Sequence, residues 1–258
     1  MNIALFAANS VGNEVSKFFG ENPGTLRCLV LDPRDPGAFN VQIIENCGAG
    51  GEAKIFYHDA LDQQQTLSAL AALNLDLIIL AWWPYIVKKE LLDLPRLGCL
   101  NFHPSYLPYN RGKNYNFWAL VEENPFGVSL HWVDEGIDTG DIAFQRRVET
   151  TWEDTGATLY AKAQEEIVRL FRESYPAIKS GNIPRVPQDL QLGSSHFARE
   201  LDDASKIELD KTYSARALLN ILRARTFPPH PAAWFTADGK TYEVRVEIKE
   251  TGSERRRD

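Results

Sequence analysis

The sequence predicts an α/β protein with a doubly wound, mostly parallel sheet and a short C-terminal extension made of a helix and a hairpin. Short apolar runs of strand length alternate with amphipathic segments of about ten or more residues. One run, at residues 76–81, is apolar after its first residue, which is typical of a strand buried on both faces. Because such sheets bind ligands beyond the carboxyl ends of their strands, we expect the functional residues in the loops that follow the strands.

Residues 2–8 form the first predicted strand, and small polar residues then lead into an amphipathic helix that runs through residue 19. This order of elements is Rossmann-like. Gly12, however, stands alone where a dinucleotide-binding turn carries three glycines, so the sequence disfavours dinucleotide binding. Residues 27–32 and 54–58 supply the second and third strands.

An aromatic loop follows the strand at residues 76–81. A glycine-rich loop at residues 48–51 and a helix at residues 61–73 precede that strand. The aromatic loop, Trp-Trp-Pro-Tyr-Ile-Val at residues 82–87, has two interpretations. Its rings either form the wall of a site for a flat heterocycle or pack as core beneath the edge of the sheet, and the residues alone leave both open.

Two polar side chains end the next predicted strand, at residues 98–102. Asn101 and His103 lie two positions apart, so both project from the same face of the strand. Pro104 and Pro108 then take the chain out of regular structure, which leaves the pair at the carboxyl edge of the sheet. A histidine after a strand is more often structural than catalytic, so the position of His103 does not by itself identify a site.

An acidic loop at residues 134–141 follows the strand predicted at residues 128–133. If this loop folds against Asn101 and His103, Asp138 adds a carboxylate to their amide and imidazole. An amide can donate to a developing oxyanion, an imidazole can stabilise that charge or move a proton, and a carboxylate can orient the imidazole. Such a set suits acyl transfer.

No protein nucleophile accompanies this set, because Ser105 lacks the Gly-x-Ser-x-Gly elbow that would expose it. Direct attack by a substrate group on an activated acyl donor is therefore favoured over a covalent acyl-enzyme. Two other interpretations remain, namely that the acidic loop is only a turn or that its carboxylates bind a cation. Calcium is disfavoured, because the carboxylates do not have the spacing of an EF-hand loop.

The rest of the chain predicts further elements and a domain boundary. The sequence turns polar after residue 187 and loses its periodicity, so we predict a catalytic domain at residues 1–188 and an extension at residues 189–258. The remaining predicted elements are a helix at residues 116–123, a strand at residues 143–149, a long amphipathic helix at residues 156–179, a helix at residues 214–225, and a hairpin of residues 232–235 and 242–248 across Asp238-Gly239.

Composition and charge argue against several classes of protein. The 258 residues carry a formal net charge of −7, which disfavours a nucleic-acid partner, and the arginines at residues 253–258 are too few for a nucleic-acid arm. No apolar run reaches the roughly 18 residues of a membrane span, and the chain starts with an apolar strand that lacks the basic region of a signal peptide. We expect a soluble, cytoplasmic enzyme that acts on small molecules, with Cys28 and Cys99 as inert core thiols.

Two motifs resemble the signature of the formyltetrahydrofolate-dependent formyltransferases. The first is Asn-Phe-His-Pro-Ser-Tyr-Leu-Pro at residues 101–108, and the second is Gly-Val-Ser-Leu-His-Trp-Val-Asp-Glu-Gly-Ile-Asp-Thr-Gly-Asp at residues 127–141. That family includes the glycinamide ribonucleotide, methionyl-tRNA and sugar N-formyltransferases. Weaker similarity extends over residues 1–188, for which the resemblance implies the formyltransferase fold.

The resemblance implies a mechanism and a co-substrate. Asn101, His103 and Asp138 match the family's catalytic residues letter for letter. By that resemblance an amine attacks the formyl carbon of N10-formyltetrahydrofolate, Asn101 and His103 stabilise the oxyanion, and Asp138 holds His103 and helps to remove the amine proton. No metal is implied. The residues that match the pterin-binding loops are Trp83, Tyr85, Ile86, Val87, Val133, Asp134 and Glu135.

The amine substrate is the open question within the resemblance. A formyltransferase core with a short helix-and-hairpin extension looks most like the sugar N-formyltransferases, which formylate nucleotide-linked amino sugars such as dTDP-amino-deoxysugars, and we expect a homodimer. The alternatives are methionyl-tRNA, for which the chain lacks a full barrel domain and has the wrong charge, a siderophore precursor, or a folate-binding protein without transfer activity. The candidates for contacts with the sugar nucleotide are Asn9, Ser105, Arg111, Lys113, Tyr115 and Arg223.

Overall fold

The structure, a computed structural model, describes residues 1–34, 39–48 and 53–251. Most of the predicted glycine-rich loop and the predicted tail at residues 253–258 lie outside these ranges. The described chain divides into two compact units, each built from three stretches of sequence. The predicted domain boundary after residue 188 stays a prediction. Unit 1 comprises Met1–His103, Val128–Arg146 and Gln164–Asp189, and unit 2 comprises Pro104–Gly127, Arg147–Ala163 and the chain from Leu190 on.

Strands and helices alternate through most of the described residues. The strands are β1 (Ile3–Ala7), β2 (Leu26–Leu31), β3 (Lys54–Tyr57), β4 (Leu77–Ala81), β5 (Gly98–His103), β6 (Arg111–Gly112), β7 (Gly127–Trp132), β8 (Ile142–Arg147), β9 (Ser195–His196), β10 (Ala233–Ala237) and β11 (Lys240–Val244). The α-helices are α1 (Asn9–Glu21), α2 (Asn40–Gly48), α3 (Gln64–Ala71), α4 (Lys89–Leu92), α5 (Tyr115–Val121), α6 (Gly156–Ser180), α7 (Glu200–Ser205) and α8 (Ala215–Arg225).

Seven strands form the sheet of unit 1, in the order β3-β2-β1-β4-β5-β7-β8. Neighbouring strands from β3 to β5 are parallel, whereas β7 runs antiparallel to β5. The chain winds outward in both directions from β1 and β4, so the carboxyl ends of these two strands flank the crevice where doubly wound sheets bind ligands. The predicted Rossmann-like, mostly parallel fold class is confirmed.

Apolar layers cover both faces of this sheet. β1 and β4 are buried along their whole length, as expected for strands that are apolar at every position. One face packs against α3 and α4 through a cluster that contains Phe6, Leu70 and Leu91. On the other face, the ring of Phe102 in β5 lies 5.3 Å from the ring of Phe171 in α6. The sheet is therefore held rigidly at the strands whose ends carry the polar residues.

Helices α2 and α3 differ from the prediction. The sequence does not identify α2, because this helix has only nine residues and ends at the glycine-rich loop, although Ile43 within it is fully buried. Helix α3 begins at Gln64 and not at residue 61. The reason is a 3₁₀ turn at His58–Ala60, which continues when the backbone N–H of Leu61 donates to the carbonyl of His58 at 3.2 Å.

Unit 2 contains the predicted C-terminal helix and hairpin. The hydroxyl of Ser214 caps α8 by accepting a hydrogen bond from the backbone N–H of Ala217 at 3.1 Å. β10 and β11 pair antiparallel, and the turn residues Asp238 and Gly239 both have positive φ, as a type I′ turn requires. The short elements β9 and α7 lie in the polar stretch after residue 187, for which the sequence predicts no regular structure.

Two expectations from composition can be compared with the structure. Cys28 and Cys99 are buried in β2 and β5, which confirms that they are core residues, and burial raises the pKa of each thiol to about 12. Over the residues that the structure describes, no helix has the length and apolar character needed to span a membrane.

Candidate active site

Strand β5 presents Asn101 and His103 at the carboxyl edge of the sheet of unit 1. Phe102, which lies between them, turns to the opposite face and packs against α6, so the two polar side chains share one face as predicted. Only 5% of the surface of His103 is exposed. The strand ends here because Pro104 has no backbone N–H with which to continue the ladder.

The acidic loop between β7 and β8 is held by its own backbone and by Gln188. The side-chain amide of Gln188 donates to the carbonyls of Asp138 at 3.0 Å and Gly140 at 2.6 Å. Asp138 has a φ of 54°, a left-handed conformation that aspartate accepts more readily than most residues. A Cβ at Gly140 would lie 1.9 Å from the carbonyl oxygen of Trp132, so glycine is required there. These restraints fix the direction in which the Asp138 side chain leaves the loop.

The carboxylate of Asp138 reaches both predicted partners. Its Oδ2 lies 3.4 Å from Nδ1 of His103, and its Oδ1 lies 3.4 Å from Nδ2 of Asn101. The contact between the acidic loop and the end of β5, which sequence spacing cannot establish, is therefore present. Since only 14% of the Asp138 side chain is exposed, these interactions are shielded from water and stronger than they would be at the surface.

His131 joins this group, although the sequence analysis does not single it out as a site residue. It lies opposite Asn101 in the antiparallel register of β5 and β7. Its Nδ1 lies 2.8 Å from the carbonyl oxygen of Trp132, and its Nε2 lies 3.1 Å from Nδ2 of Asn101 and 3.4 Å from Oδ1 of Asp138. We call Asn101, His103, His131 and Asp138 the polar cluster. The register that brings His131 into it has no sequence signal beyond the alternation of β7.

The donor atoms of His103, His131 and Asp138 lie within 4.8 Å of one another, close enough to share a metal ion. Nδ2 of Asn101, however, is an N–H donor that faces Nε2 of His131 and Oδ1 of Asp138, two of the atoms that a cation would use. The cluster is thus better suited to hydrogen-bond charge that develops on a substrate. That no metal takes part stays a prediction.

The aromatic loop after β4 borders a cavity of about 830 Å³. The chain turns into this loop at Trp82, whose φ of 60° is unusual for a bulky side chain. Trp83 and Val87 also pack against the apolar cluster beneath, so the loop combines a cavity wall with core packing. Ile86, by contrast, is 86% exposed. Four of the seven predicted pterin contacts, those on this loop, line the cavity, namely Trp83, Tyr85, Ile86 and Val87.

A polar network lies along one wall of this cavity. The hydroxyl of Tyr85 donates to Oδ2 of Asp32 and accepts from the guanidinium of Arg34 at 3.0 Å, and the imidazole of His58 stacks on the Tyr85 ring at 3.7 Å between centroids. Burial favours the protonated form of Asp32, but the hydrogen bonds from Tyr85 and Arg34 outweigh it and hold the pKa of Asp32 below its ordinary value. Asp32, Arg34 and His58 are not among the site residues predicted from the sequence.

The three predicted contacts on the acidic loop differ in their surroundings. Val133 packs against the apolar cluster that also contacts the aromatic loop. Asp134 and Glu135 are exposed. Oδ1 of Asp134 accepts hydrogen bonds from the backbone N–H of Gly136 at 3.0 Å and the hydroxyl of Thr139 at 2.7 Å, so this carboxylate stabilises the loop itself.

Of the six predicted substrate contacts, only Asn9 belongs to unit 1. It directly follows β1 and has a φ of 49°. Its Oδ1 accepts a hydrogen bond from the backbone N–H of Val11 at 3.1 Å. Asn9 therefore starts α1 at a sheet edge, and its role towards a substrate stays a prediction.

Arg223 lies in α8 of unit 2 and is only 7% exposed. It donates to the carbonyl of Thr151 at 2.7 Å and to Oδ1 of Asn220 at 3.0 Å, and its guanidinium lies 4.6 Å from the ring centroid of Trp152. Burial holds the pKa of Arg223 below its ordinary value. These contacts stabilise unit 2, and a role in binding a diphosphate stays a prediction.

The other predicted substrate contacts in unit 2 are mostly buried. Arg111 is 8% exposed and donates to the carbonyl of Pro108 at 3.3 Å. Ser105 is buried, and burial raises the pKa of the Tyr115 hydroxyl well above its ordinary value. Lys113 alone among these residues is exposed. Their roles as substrate contacts stay predictions.

Two family models match the chain. The model described as Formyl transferase matches residues 40–174, and the model described as N-formyltransferase dimerization C-terminal domain matches residues 200–250. The first match contains every member of the polar cluster and most of the aromatic loop's cavity wall.

The curated relatives include methionyl-tRNA formyltransferases. One from Agathobacter rectalis is 29% identical over 78% of this chain and 64% of its own length. Another, from Methylacidiphilum infernorum, is 31% identical over 70% of this chain and 56% of its own length. The chain thus spans less than two thirds of the length of these relatives.

Several solved structures share the fold. A 4-N formyltransferase from Francisella tularensis is 24% identical with a TM-score of 0.79, and 97% of this chain and 98% of that one are covered. A sugar N-formyltransferase from a Shewanella species is 18% identical with a TM-score of 0.80 over 97% and 99%. An N-formyltransferase from Helicobacter canadensis, solved with folinic acid and dTDP-3-aminofucose, is 17% identical with a TM-score of 0.70 over 93% and 85%.

Proposed function

The chain belongs to the formyl transferase family, and from this we propose that it is an enzyme that moves a formyl group from N10-formyltetrahydrofolate to the amine of a nucleotide-linked amino sugar. The observation that carries the proposal is the polar cluster. Asp138 lies 3.4 Å from both Asn101 and His103 at the carboxyl edge of the sheet, with an amide, an imidazole and a carboxylate in one shielded group. No protein nucleophile is needed when the amine itself attacks the formyl carbon.

Each member of the predicted triad has a role that suits its chemistry. Asn101 and His103 donate hydrogen bonds to the negative charge that develops on the formyl oxygen. Because Nδ1 of His103 faces Asp138, Nε2 is the nitrogen of this imidazole that acts on the substrate. Asp138 holds the imidazole in that orientation and accepts, directly or through water, the proton that the attacking amine releases.

The cavity beside the aromatic loop fits the formyl donor. Its volume of about 830 Å³ and its aromatic wall are in the usual range for a pocket that binds a drug-sized heterocycle. When bound, N10-formyltetrahydrofolate supplies an activated formyl carbonyl. The residues that hold it in this proposal are Trp83, Tyr85, Ile86 and Val87 on the aromatic loop, with Val133, Asp134 and Glu135 on the acidic loop.

A nucleotide-linked amino sugar is the acceptor that the observations favour. Sugar N-formyltransferases share the fold over nearly the whole of this chain, and the Helicobacter enzyme was solved with a dTDP-linked amino sugar. The net charge of −7 suits a small acceptor better than a large polyanion. The residues assigned to the acceptor are Asn9, Ser105, Arg111, Lys113, Tyr115 and Arg223.

Methionyl-tRNA is the second candidate acceptor, because the curated relatives carry that name. A tRNA-binding protein gains its affinity largely by neutralising phosphates with lysine and arginine. The 28 lysine and arginine residues of this chain are outnumbered by 35 aspartate and glutamate residues, so this acceptor is less favoured.

A direct assay separates these acceptors. The protein is incubated with N10-formyltetrahydrofolate and, in separate reactions, a panel of dTDP-linked and UDP-linked amino sugars, methionyl-tRNA or a hydroxyornithine. Release of tetrahydrofolate, together with mass spectrometry of the acceptor, identifies the product. We expect formylation of an amino sugar. Formylation of methionyl-tRNA or hydroxyornithine alone, or folate binding without turnover of any acceptor, contradicts the proposal.

We also propose that the protein is a homodimer that assembles through its C-terminal region. Residues 200–250 match a dimerization domain, and this region exposes apolar side chains at Leu209, Leu219 and Tyr242. Light scattering gives the test, because a monomer at micromolar concentration contradicts the dimer. The cytoplasmic location expected from the sequence stays a prediction, which cell fractionation would check.

A further inference from the structure

His131 is a buried member of the polar cluster to which the proposed mechanism gives no role. It lies opposite Asn101 in the sheet, and 2% of its surface is exposed. Both ring nitrogens have partners, since Nδ1 lies 2.8 Å from the carbonyl oxygen of Trp132 and Nε2 lies 3.1 Å from Nδ2 of Asn101. An imidazole held at both nitrogens has a fixed orientation.

These partners determine which nitrogen of His131 carries the proton. A carbonyl oxygen only accepts hydrogen bonds, so Nδ1 is protonated, and an amide nitrogen only donates, so Nε2 presents its lone pair. The orientation of the Asn101 amide has independent support from Asp138. Oδ1 of Asp138 lies 3.4 Å from Nδ2 of Asn101 and would repel the amide oxygen if the amide were turned to put its oxygen at the Nδ2 position. The tautomer that fits the carbonyl of Trp132 and the amide of Asn101 carries the proton on Nδ1 and leaves Nε2 to accept from Asn101.

Nδ2 of Asn101, Nε2 of His131 and Oδ1 of Asp138 form a nearly equilateral triangle with sides of 3.1, 3.4 and 3.4 Å. Seen from Nδ2 of Asn101, the directions to Nε2 of His131 and Oδ1 of Asp138 differ by an angle of about 60°. This is about half the angle between the two N–H bonds of a planar amide. The two N–H bonds therefore cannot both point at these acceptors. The second N–H points away from them and is the one that can serve a substrate.

We propose that His131 is a positioning residue that sets the rotation of the Asn101 amide and so directs its second N–H at the formyl oxygen. The inference rests on the proposed formyl transfer. His131 does not touch the substrate in this role and acts only through Asn101. Loss of the acceptor at Nε2 leaves Asp138 alone to orient the amide, which weakens the hydrogen bond to the developing negative charge.

Two amide substitutions separate this role from a structural one. His131→Gln places an amide oxygen near the position of Nε2 and so keeps an acceptor for Asn101. His131→Asn keeps a donor near Nδ1 for the carbonyl of Trp132 and loses the acceptor. We expect His131→Asn to lower kcat by about tenfold to a hundredfold with little change in KM for the formyl donor, and His131→Gln to stay within about threefold of the native kcat. His230→Gln, at an exposed position of unit 2, is the matched control.

The tautomer can be measured without any activity. The chain has five histidines, so long-range proton–nitrogen NMR spectra of ¹⁵N-histidine protein contain few signals, and the signal lost in His131→Asn assigns His131. We expect a protonated Nδ1 and an unprotonated Nε2 at neutral pH. Protonation at Nε2 overturns the inference, because that nitrogen could then not accept from Asn101.

The kinetic outcomes are equally decisive. Equal losses in both amide variants, or a loss confined to His131→Gln, overturn the positioning role, since the bond to Trp132 would then be what matters. Thermal unfolding of each variant checks that the fold is retained. A native protein that formylates no acceptor counts against the proposed function, whereas the tautomer measurement still decides the inference about His131.

Discussion

The polar cluster and the cavity beside the aromatic loop lie in the same unit. They differ in how much of their surface is covered by contacts with other protein side chains. In the polar cluster, the side chains of His103, His131 and Asp138 are between 2% and 14% exposed and contact one another. The cavity is open by comparison, with about 830 Å³ of space and Ile86 86% exposed at its border. One region is filled by contacts between protein side chains, and the other contains open space.

This difference predicts which kinetic constant, kcat or KM, depends on each region. Groups held in place before the reaction stabilise charge as it develops, so changes to them lower kcat. Walls of an open cavity contact the ground state and the transition state alike, so changes to them raise KM. The following substitutions test whether the two regions divide the work in this way.

Asp138→Asn should have the largest effect. Asparagine tolerates the left-handed backbone at this position, so the loop is kept while the carboxylate is lost. We expect kcat to fall by at least about a hundredfold with a nearly unchanged KM for the formyl donor, as loss of a positioned proton-transfer group typically does. Steady-state kinetics give the measurement. Asp238→Asn, at another position of positive φ, is the control, and equal effects at the two positions would contradict the assignment.

Gln188→Leu tests whether the polar cluster depends on its support. The substitution removes both hydrogen bonds that hold the carbonyls of Asp138 and Gly140. Because small displacements of a catalytic group are costly, we expect kcat to fall by about tenfold. Gln65→Leu on the exposed face of α3 is the control. A rise in KM with an unchanged kcat would show instead that Gln188 serves binding.

Trp83→Ala should affect binding and not chemistry. Trp83 lines the cavity, and its ring lies 5.3 Å from that of Phe6 and 5.5 Å from that of Tyr85. Loss of this aromatic wall should raise KM for the formyl donor by about tenfold while kcat changes less than about twofold. Trp83→Phe keeps an aromatic ring and should lie between the two. A fall in kcat at a saturating concentration of the formyl donor would contradict the idea that the cavity affects only KM.

Tyr85→Phe should have the smallest effect, and we expect that effect in the free energy of unfolding. Asp32 has a pKa below its ordinary value, so its stabilising contribution is present at neutral pH and is lost as the pH falls below about 4, the usual aspartate value. Without the hydroxyl of Tyr85, the pKa of Asp32 in the folded protein is lowered less. Urea unfolding should therefore show a less stable variant at pH 7, with the difference from the native protein narrowing in acid. Tyr57→Phe, at a more exposed tyrosine, is the control.

The sequence is sufficient to place Asn101 and His103 together because the evidence for that placement is local. The two-residue spacing of Asn101 and His103 places both on one face of a strand, and the proline after them marks the edge of the sheet. The turn at Asp238 and Gly239 is predictable for the same reason, since it needs only two neighbouring residues that accept positive φ.

Long-range partners of the cluster are not predictable in this way. His131 reaches Asn101 only through the antiparallel register of β5 and β7, which neither strand specifies alone. Gln188 contacts a carbonyl 50 residues away in the sequence. Its polar side chain in a polar stretch gives no sign of that contact.

Charge is a weaker guide than position. Arg223 is a predicted contact with the sugar nucleotide, yet in unit 2 its guanidinium is held by Asn220 and the carbonyl of Thr151. A buried arginine needs such partners whether or not it also binds a ligand.

The assembly of unit 1 from three stretches also has a consequence for the order of events during translation. Asp138 leaves the ribosome 50 residues before Gln188, the residue whose side-chain amide donates a hydrogen bond to the Asp138 carbonyl. At about 5–20 residues per second, that interval lasts about 3–10 seconds. The nascent chain therefore exposes an unfastened acidic loop for seconds, and the polar cluster can take its final form only when the last stretch of unit 1 has been synthesised.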